Sequence, residues 1–299
     1  MKLLLTGVTG FIGRHLTKRL LGDGCKVCVI IRNKENKAKL EESHIKCFVD
    51  DNSNEWLFDL FKREKFDGVI HLASCFIVEH KMEDVHNLIN SNVLFAARIL
   101  EASSRTRVNW FINTGTLWQH YENRDYSPVN LYAATKQAFE VIARFYIEAY
   151  PLNFVTLQLS DTYGREDPRP KILNLWSKIA DTKEMLPMSA GRQLIDMVYI
   201  DDVVSAYVKM IRLLEKDAAR RFNGKIFSVS SGNPISLREL AGLFSQTTDK
   251  NLNIKWAARP YRKREVMVPW NKGRRVPGWT PRVSLEEGIA RTYMQTQGQ

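Results

Sequence analysis

Residues 3–21 read LLLTGVTGFIGRHLTKRLL, an apolar run followed by a glycine-rich turn and a segment with helical periodicity. Ile12, Leu16 and Leu20 recur at intervals of four, so they share one face of a helix. Two glycines follow shortly afterwards and end that helix. The order predicts a buried strand, a tight turn and an amphipathic helix.

The glycines of this turn, Gly7, Gly10 and Gly13, form a G-x-x-G-x-x-G pattern. Glycine permits the tight turn and lets the backbone approach a pyrophosphate, whose charge is met by free N–H groups and the positive end of the helix dipole. The alternative is a turn whose glycines are incidental. Between a strand and a helix the pattern predicts a dinucleotide site. Its residues are Gly7, Thr9, Gly10, Phe11, Ile12 and Gly13.

Strands and helices alternate through the first half of the chain. Residues 26–32 read KVCVIIR, a short Val/Ile-rich run that is typical of a strand buried on both faces of a parallel sheet. Such alternation implies βαβ crossovers, so we predict the α/β class: a doubly wound parallel sheet of Rossmann type with a smaller, mostly helical C-terminal substrate lobe. The predicted core spans 1–164, rejoined by about 196–230, and the lobe comprises 165–195 and 231–299.

The composition of the 299 residues excludes several classes of protein. Apolar residues make up 44% of the chain and no low-complexity tract occurs, which excludes a disordered or fibrous protein. No apolar run reaches the roughly 18 residues of a membrane helix, and MKLLL leads directly into TGVTG without a cleavage site. Two of the four cysteines have the C-x-x-C spacing of one half of a metal site, but no second pair completes it. The cysteines are therefore expected to be reduced thiols that hold no metal. We therefore expect a cytoplasmic protein that does not enter a membrane.

Residues after the second and third strands bear on the choice of dinucleotide. A fold that prefers NAD usually places Asp or Glu at the end of the second strand, where it accepts hydrogen bonds from the ribose hydroxyls. This chain has Arg32 and Asn33 there, and an arginine can instead bind a 2′-phosphate. The sequence therefore favours NADP(H) over NAD(H). Asp50 or Asp51, after the third strand, either accepts from the adenine amino group or belongs to a solvated acidic turn.

Tyr132 and Lys136 stand four residues apart at the start of a strongly periodic helix, so both project from one face. Free tyrosine has a pKa of about 10, and a neighbouring ammonium favours the phenolate. We therefore expect Lys136, together with a charged nicotinamide ring, to lower the pKa of Tyr132. A second hydroxyl is expected at the carboxyl end of the preceding strand, where Thr114 lies. The alternative for the pair is an ordinary surface contact.

Several motifs follow one another along nearly the whole chain: GVTGFIG at 7–13, HLA at 71–73, Asn92, the strand end at Thr114, YAATK at 132–136 and YIDDVV at 199–204. Together they resemble the extended short-chain dehydrogenase/reductase family, and more narrowly its branch of nucleotide-sugar epimerases, dehydratases and ketoreductases. The resemblance implies that Tyr132 is the acid or base at the sugar oxygen and that Thr114 hydrogen-bonds the same oxygen. Lys136 would hold the nicotinamide ribose.

The resemblance also implies contacts beyond these three residues. Leu72, Ala73 and Asn92 would belong to the cofactor site, and Ser74 and Thr116 to the substrate site. The branch commonly has Arg at the position of Gln158 and at that of Ile195, and the second Arg normally touches the nucleotide diphosphate. Arg192 or a carboxy-terminal arginine, Arg262 or Arg264, would substitute for it.

The strand end distinguishes between reactions within the branch. Sugar dehydratases carry Thr-Asp-Glu, whereas this chain has Thr114-Gly115-Thr116 and so lacks the carboxylates that dehydration needs. With Arg32, the resemblance favours NADPH-dependent reduction of the 4-keto group of a CDP- or dTDP-activated deoxyhexose, as in the synthases that make CDP-paratose or CDP-abequose. An NAD-retaining 4-epimerase is the alternative enzyme. A non-catalytic dinucleotide-sensing or RNA-associated protein is the alternative of another class.

Residues 255–282 carry nine Lys/Arg and one acid, a local charge of +8 within a chain of net charge +11. Interleaved tryptophans make this segment compatible with nucleic acid, with the two phosphates of an activated sugar, or with a solvated basic face. We favour the diphosphate and do not expect nucleic acid. The resemblance also permits a homodimer through the helices that carry Asn92 and Tyr132, where Phe139 and Phe145 are apolar.

Overall fold

A seven-stranded parallel sheet lies at the centre of the structure, a computed structural model that describes residues 1–31, 40, 45–182 and 184–294. The sheet has the order β11-β6-β5-β4-β1-β2-β3. Short strands pair outside it: β7 with β10, β8 with β13, and β9 with β12. The strands are β1 Lys2–Thr6, β2 Lys26–Ile31, β3 Lys46–Val49, β4 Gly68–His71, β5 Trp110–Thr116, β6 Asn153–Leu159, β7 Asp161–Tyr163, β8 Leu186–Pro187, β9 Leu194–Ile195, β10 Met197–Tyr199, β11 Lys225–Val229, β12 Ile235–Ser236 and β13 Ile254–Lys255.

Helices cover both faces of the sheet, which confirms the predicted doubly wound class. The described helices are α1 Phe11–Gly22, α2 Asn54–Glu64, α3 Asp84–Ile89, α4 Phe95–Arg105, α5 Leu131–Ala149, α6 Ile172–Thr182, α7 Ile200–Glu215, α8 Leu237–Thr248 and α9 Leu285–Tyr293. Helices α1 and α7 pack together on one face, and α2, α4 and α5 pack on the other. A π-helical turn, Asn90–Leu94, joins α3 to α4. None of the helices in the described ranges has the length and apolar character needed to cross a bilayer.

The chain direction across the sheet explains where a ligand can bind. From β1 the chain moves outward to β2 and β3, and then returns to β4 on the other side of β1. Adjacent helices therefore leave a crevice outside the carboxyl ends of β1 and β4, where Thr6 pairs with His71. The glycine loop after β1 and the strand end at Thr114 open towards the same edge.

The carboxyl-terminal part of the chain contacts this edge. Strands β8 and β13 pair in parallel, as do β7 and β10, and β9 pairs with β12 in the antiparallel direction. Trp176 of α6 packs against Phe244 of α8, which in turn contacts Tyr293 of α9. These contacts join the segments on either side of α7, while β11 adds to the edge of the central sheet beside β6.

Glu64, at the end of α2, is a buried carboxylate that three cations surround. Its side chain is 5% exposed, and Lys2, Lys46 and Arg63 approach it to 2.6, 2.9 and 3.3 Å. Burial by itself raises the pKa of Glu64, but hydrogen bonds from Lys2, Lys46 and Arg63 outweigh burial and hold it at about 2, below the ordinary 4.5. The cluster ties β1 and β3 to α2.

We expect Glu64→Gln to lower the free energy of unfolding at pH 7 by about 2 kcal/mol, a value reduced for the solvent exposure of the cations. Because the folded pKa is the lower one, the stabilisation is complete above pH 4.5 and is lost as the pH falls through about 2. Urea unfolding at pH 7 and pH 3 measures it. Asp59→Asn, on the exposed face of the same helix, is the control. An equal loss of unfolding free energy in Glu64→Gln at both pH values would contradict the prediction.

Candidate active site

The glycine loop after β1 is packed so closely that side chains do not fit. Gly7 has a φ of +73°, and a Cβ there would lie 2.5 Å from the backbone nitrogen of Ala73. A Cβ on Gly13 would lie 2.7 Å from the Cα of Val8 and closer still to the carbonyl oxygen of Gly7. Gly10 caps α1 without a side-chain hydrogen bond, and the first turn of the helix carries no acid. This end of α1 therefore suits an anionic group such as a pyrophosphate.

A cleft of about 740 Å³ runs from this loop to the carboxyl-terminal part of the chain. It brings together most of the residues predicted from the sequence, whereas Thr9, Ala73 and Asn92 are not among the described residues that line it. The predicted residues on its wall are Gly7, Gly10, Phe11, Ile12, Gly13, Leu72, Ser74, Thr114, Thr116, Tyr132, Lys136, Arg262 and Arg264.

Tyr132 and Lys136 lie in the first two turns of α5 and face the cleft. The side chain of Asn130 caps the helix by accepting from the backbone N–H of Ala133 at 3.0 Å, and it donates to the carbonyl of Val78 at 2.8 Å. Asn130 thus fixes the start of α5 against the loop that follows β4. Lys136 is 2% exposed, so the pair is not an ordinary surface contact.

The pKa of Tyr132 moves in the direction opposite to the predicted one. Burial raises it to about 12, while a hydrogen bond with Ser74 and the charge of Arg169 lower it and the charge of Asp161 raises it. The positive charge that lowers this pKa is that of Arg169 and not, as expected, that of Lys136, and burial outweighs it. Tyr132 is therefore a neutral phenol at neutral pH, which can donate a proton.

Thr114 is held by a residue that the sequence did not indicate. Its hydroxyl lies 2.7 Å from the hydroxyl of Tyr207, which is fully buried in α7. The contact spans 93 residues, so only the fold brings the two hydroxyls together. Thr114 still lines the cleft, and it retains a donor or an acceptor for a ligand oxygen.

Asn92 lies behind the cleft in the π-helical turn. Its side-chain oxygen accepts from the backbone N–H of Cys75 at 2.7 Å and from the hydroxyl of Ser74 at 3.2 Å. Its amide donates to the carbonyl of Cys75 and to the hydroxyl of Thr135. Asn92 therefore fixes the loop after β4 against α5, and a direct contact with a cofactor stays a prediction.

The acidic residues after β3 are already engaged. The carboxylate of Asp50 accepts two hydrogen bonds from Arg98, at 2.9 and 3.1 Å, and lines a second cavity of about 440 Å³ with it. Asp51 is exposed and accepts from the backbone N–H of Ser53. Recognition of adenine by either residue stays a prediction. Arg32 and Asn33 lie outside the residues that the structure describes.

Basic residues from two segments enclose the far end of the cleft. Arg262 is paired with Glu265 at 2.9 Å and lies over the ring of Trp118, while Arg264 donates to the hydroxyl of Ser127. Arg192 is exposed and is not among the described residues on the wall. Three others on the wall were missed, Asp161, Arg169 and Lys171, whereas Arg259 and Lys263 belong to the predicted basic segment 255–282. The basic residues of EDPRPK, at 166–171, were visible in the sequence, but no role was predicted for them.

Lys171 and Asp161 form an ion pair of 2.9 Å beside two aromatic rings. The ammonium of Lys171 lies 4.7 Å from the ring centre of Phe76 and 5.8 Å from that of Trp118. Phe76 also meets the ring of Tyr132 edge to face. The phenol therefore opens onto a wall that is aromatic on one side and charged on the other.

This arrangement, a glycine loop at a helix N-terminus followed by a Thr, Tyr and Lys group, defines a short-chain dehydrogenase/reductase that uses a nicotinamide dinucleotide. The NAD dependent epimerase/dehydratase family model matches residues 3–224. The chain belongs to this family, whose members are enzymes, and the predicted resemblance is confirmed. The structure contains features that fit a dinucleotide: the cradle at Gly7 and Gly13 and the ammonium of Lys136 facing the same cleft.

Relatives of known activity match over nearly the whole chain. CDP-abequose synthase of Salmonella muenchen is 27% identical over 300 residues, which cover 96% of this chain and 95% of the relative. UDP-glucose 4-epimerase of Mycolicibacterium smegmatis is 28% identical over 319 residues, covering 98% and 97%. Among solved structures, UDP-glucose 4-epimerase of Thermotoga maritima with UDP-glucose gives a TM-score of 0.84 at 23% identity, with 98% and 97% covered. That likeness confirms the Rossmann-type fold.

Proposed function

We propose that the protein reduces the 4-keto group of a nucleotide-activated deoxyhexose with NADPH. The observation that carries the proposal is the neutral phenol of Tyr132, placed between the glycine loop and the basic end of the cleft. Reduction of a carbonyl adds a hydride to carbon and a proton to oxygen, and a bound reduced nicotinamide would supply the hydride. Tyr132 donates its proton to the oxygen, and the hydroxyl of Thr114 hydrogen-bonds that oxygen.

The protonated state of the Tyr132 phenol is the state that reduction requires. A phenol whose pKa is about 12 holds its proton at pH 7, as a general acid requires. A 4-epimerase first needs the phenolate to take a proton from the sugar hydroxyl. The positive charge of an oxidised nicotinamide would favour that phenolate, whereas a reduced ring carries no such charge.

The far end of the cleft supports a nucleotide diphosphate as the activating group. Arg259, Arg262 and Arg264 of the basic segment 255–282 line the cleft, and one guanidinium group can bind two phosphate oxygens at once. The similarity to CDP-abequose synthase favours a CDP-sugar. A dTDP-sugar is the second candidate.

The aromatic side of the cleft favours a deoxysugar. Phe76 and Trp118 lie with their ring centres 5.8 Å apart beside Tyr132, where they present apolar surface to the reacting part of a ligand. A sugar carbon that has lost its hydroxyl gains more from such a surface than a hydroxylated one, because no polar group is desolvated. We therefore place the deoxygenated positions of the hexose against these rings.

Dehydration does not fit the strand end. A Cβ on Gly115 would lie 2.8 Å from the side-chain oxygen of Gln119 and 2.9 Å from Cγ of Gln158. The aspartate that dehydratases carry at this position would therefore force the side chains of Gln119 and Gln158 to move. This packing agrees with the sequence argument from Thr114-Gly115-Thr116.

The choice of NADP(H) rests on Arg32 and Asn33, which follow β2 in the sequence. The solved relatives include complexes with NAD, among them UDP-glucose 4-epimerase of Thermus thermophilus, at 24% identity and a TM-score of 0.81. An NAD-retaining 4-epimerase is accordingly the second candidate function. We also propose a homodimer through α5 and through α4 with the π-helical turn before it, where Leu94, Val141 and Phe145 are exposed apolar residues.

The test is to incubate the protein with NADPH or NADH and a panel of CDP- and dTDP-4-keto-deoxyhexoses, and to identify products by NMR. We expect one NADPH to be consumed for each 4-hydroxy product, with NADH much less effective. UDP-glucose, in the absence of added dinucleotide, is included to detect epimerisation. Interconversion of sugars without added dinucleotide would replace the reductase with the epimerase.

A further inference from the structure

Glu140 lies on α5 one turn beyond Lys136 and two turns beyond Tyr132, on the same face of the helix. Both of its carboxylate oxygens are buried, and among the described residues neither has a hydrogen-bond partner of normal geometry. A buried carboxylate without hydrogen bonds is costly, so a native protein that keeps one calls for an explanation. Neither the sequence motifs nor the proposed reaction assigns a role to this residue.

Within the described ranges, the groups that β5, the turn after it and β6 bring to Glu140 are uncharged. Gly115 of β5 leaves the space that the carboxylate fills, since a Cβ there would lie 3.0 Å from Oε1 of Glu140. Gln119 is committed to the backbone N–H of Thr116 and to Gln137. Gln158 of β6 meets His120 through its side-chain oxygen at 2.9 Å, and its amide nitrogen lacks a partner within the described ranges.

Lys136, one helical turn before Glu140, is the cation whose charge acts on this carboxylate. Burial raises the pKa of Glu140 to about 7, whereas the amides of Gln119 and Gln158 and the charge of Lys136 lower it. In the other direction, burial lowers the pKa of Lys136 from 10.5 to about 8, and the charge of Glu140 raises it. His71 of β4 also faces Lys136, but it is neutral because burial and Lys136 lower its pKa to about 3.

We propose that Glu140 is a positioning residue whose negative charge keeps Lys136 protonated. It contacts no ligand and acts through the ammonium. The inference rests on the dinucleotide-binding part of the proposed function, because Lys136 would hold the nicotinamide ribose. The effect of Glu140 on Lys136 is expected only above pH 7. Below pH 7 both groups are protonated, whereas above pH 7 the ionised carboxylate of Glu140 delays the loss of the Lys136 proton.

The test compares Glu140→Gln with the wild type between pH 6 and pH 8.5. We expect the pKa of Lys136 to fall by about one further unit, which leaves about fivefold less ammonium at pH 8 and nearly the same amount at pH 6. In Glu140→Gln the dissociation constants of NADPH and NADH, measured by fluorescence without any sugar, should rise accordingly at pH 8. Turnover of this variant should fall at the same pH. Glu148→Gln, exposed on the same helix, is the matched control.

Two outcomes would overturn the proposal: an unchanged pH dependence, or an equal loss at pH 6 and pH 8, which a packing defect would give. Dinucleotide binding is measured without a sugar, so it tests the role of Glu140 separately from the substrate. A pH dependence of dinucleotide binding that shifts in Glu140→Gln, without activity on 4-keto sugars, would support the role of Glu140 and contradict only the proposed substrate. Binding of neither dinucleotide to the wild type would contradict both. If Glu140→Gln does not fold, the ¹³C-carboxyl NMR resonance of Glu140 in the wild type tests the proposal instead. This resonance should titrate near pH 7. Titration below pH 5 would overturn the proposal.

Discussion

Turnover should fall at least about a hundredfold when Tyr132 is replaced by phenylalanine, a loss of about 2.7 kcal/mol in transition-state stabilisation. The substitution removes the phenol hydroxyl of Tyr132, which faces Ser74 and the cleft, and leaves the ring packed against Phe76. Since the glycine loop is untouched, the dissociation constant of NADPH should stay within about twofold. Steady-state kinetics and fluorescence titration measure the two quantities.

Tyr126→Phe is the matched control, because Tyr126 is exposed and is not among the described residues that line the cleft. It should retain normal turnover. A near-normal rate for Tyr132→Phe would show that Tyr132 is not the general acid. A loss of NADPH affinity equal to the loss of turnover would indicate damage to the site instead of loss of a proton donor.

Replacing Gly13 with alanine should weaken the binding of NADPH and NADH at least about a hundredfold, or about 2.7 kcal/mol. The added methyl group would lie 2.7 Å from the Cα of Val8 and closer to the carbonyl of Gly7, and both neighbours are backbone atoms. The loop would have to move away from the position in which it approaches a pyrophosphate. Equilibrium titration of dinucleotide fluorescence measures the effect.

The control for this prediction is Gly22→Ala at the other end of the same helix, where a Cβ meets no atom within 4 Å. It should leave dinucleotide affinity unchanged and raise stability slightly, because alanine restricts the unfolded chain. Unchanged affinity in Gly13→Ala would show that the dinucleotide does not lie over this loop.

Local patterns in the sequence predicted most of the fold and the centre of the site. The strand, turn and helix at residues 3–21 need only neighbouring residues, as does the spacing of Tyr132 and Lys136, so they can be predicted from periodicity. The order of motifs then identified the family. Thr114 followed because the carboxyl ends of parallel strands share one edge.

What the sequence could not show depends on contacts between distant segments. Tyr207 meets Thr114 across 93 residues, and Arg98 meets Asp50 across 48, and no periodicity encodes either contact. The pKa of Tyr132 was predicted in the wrong direction because its burial arises from packing that the spacing to Lys136 does not reveal. Glu140, in contrast, follows Lys136 by four residues and was visible in the sequence as a second charged residue on the same face of the helix.

The measurement that bears most directly on the proposed reaction is the transfer of deuterium from NADPH deuterated at C4 of the nicotinamide, with each of the two possible faces labelled in turn. The substrate is the CDP- or dTDP-4-keto-deoxyhexose that the protein accepts. A reductase with Tyr132 as proton donor should place one deuterium at C4 of the product sugar from one of the two labelled cofactors, at a rate at least about a hundredfold lower in the Tyr132→Phe variant. No deuterium in the sugar from either cofactor, together with interconversion of 4-hydroxy sugars by protein that already carries bound NAD, would contradict the account.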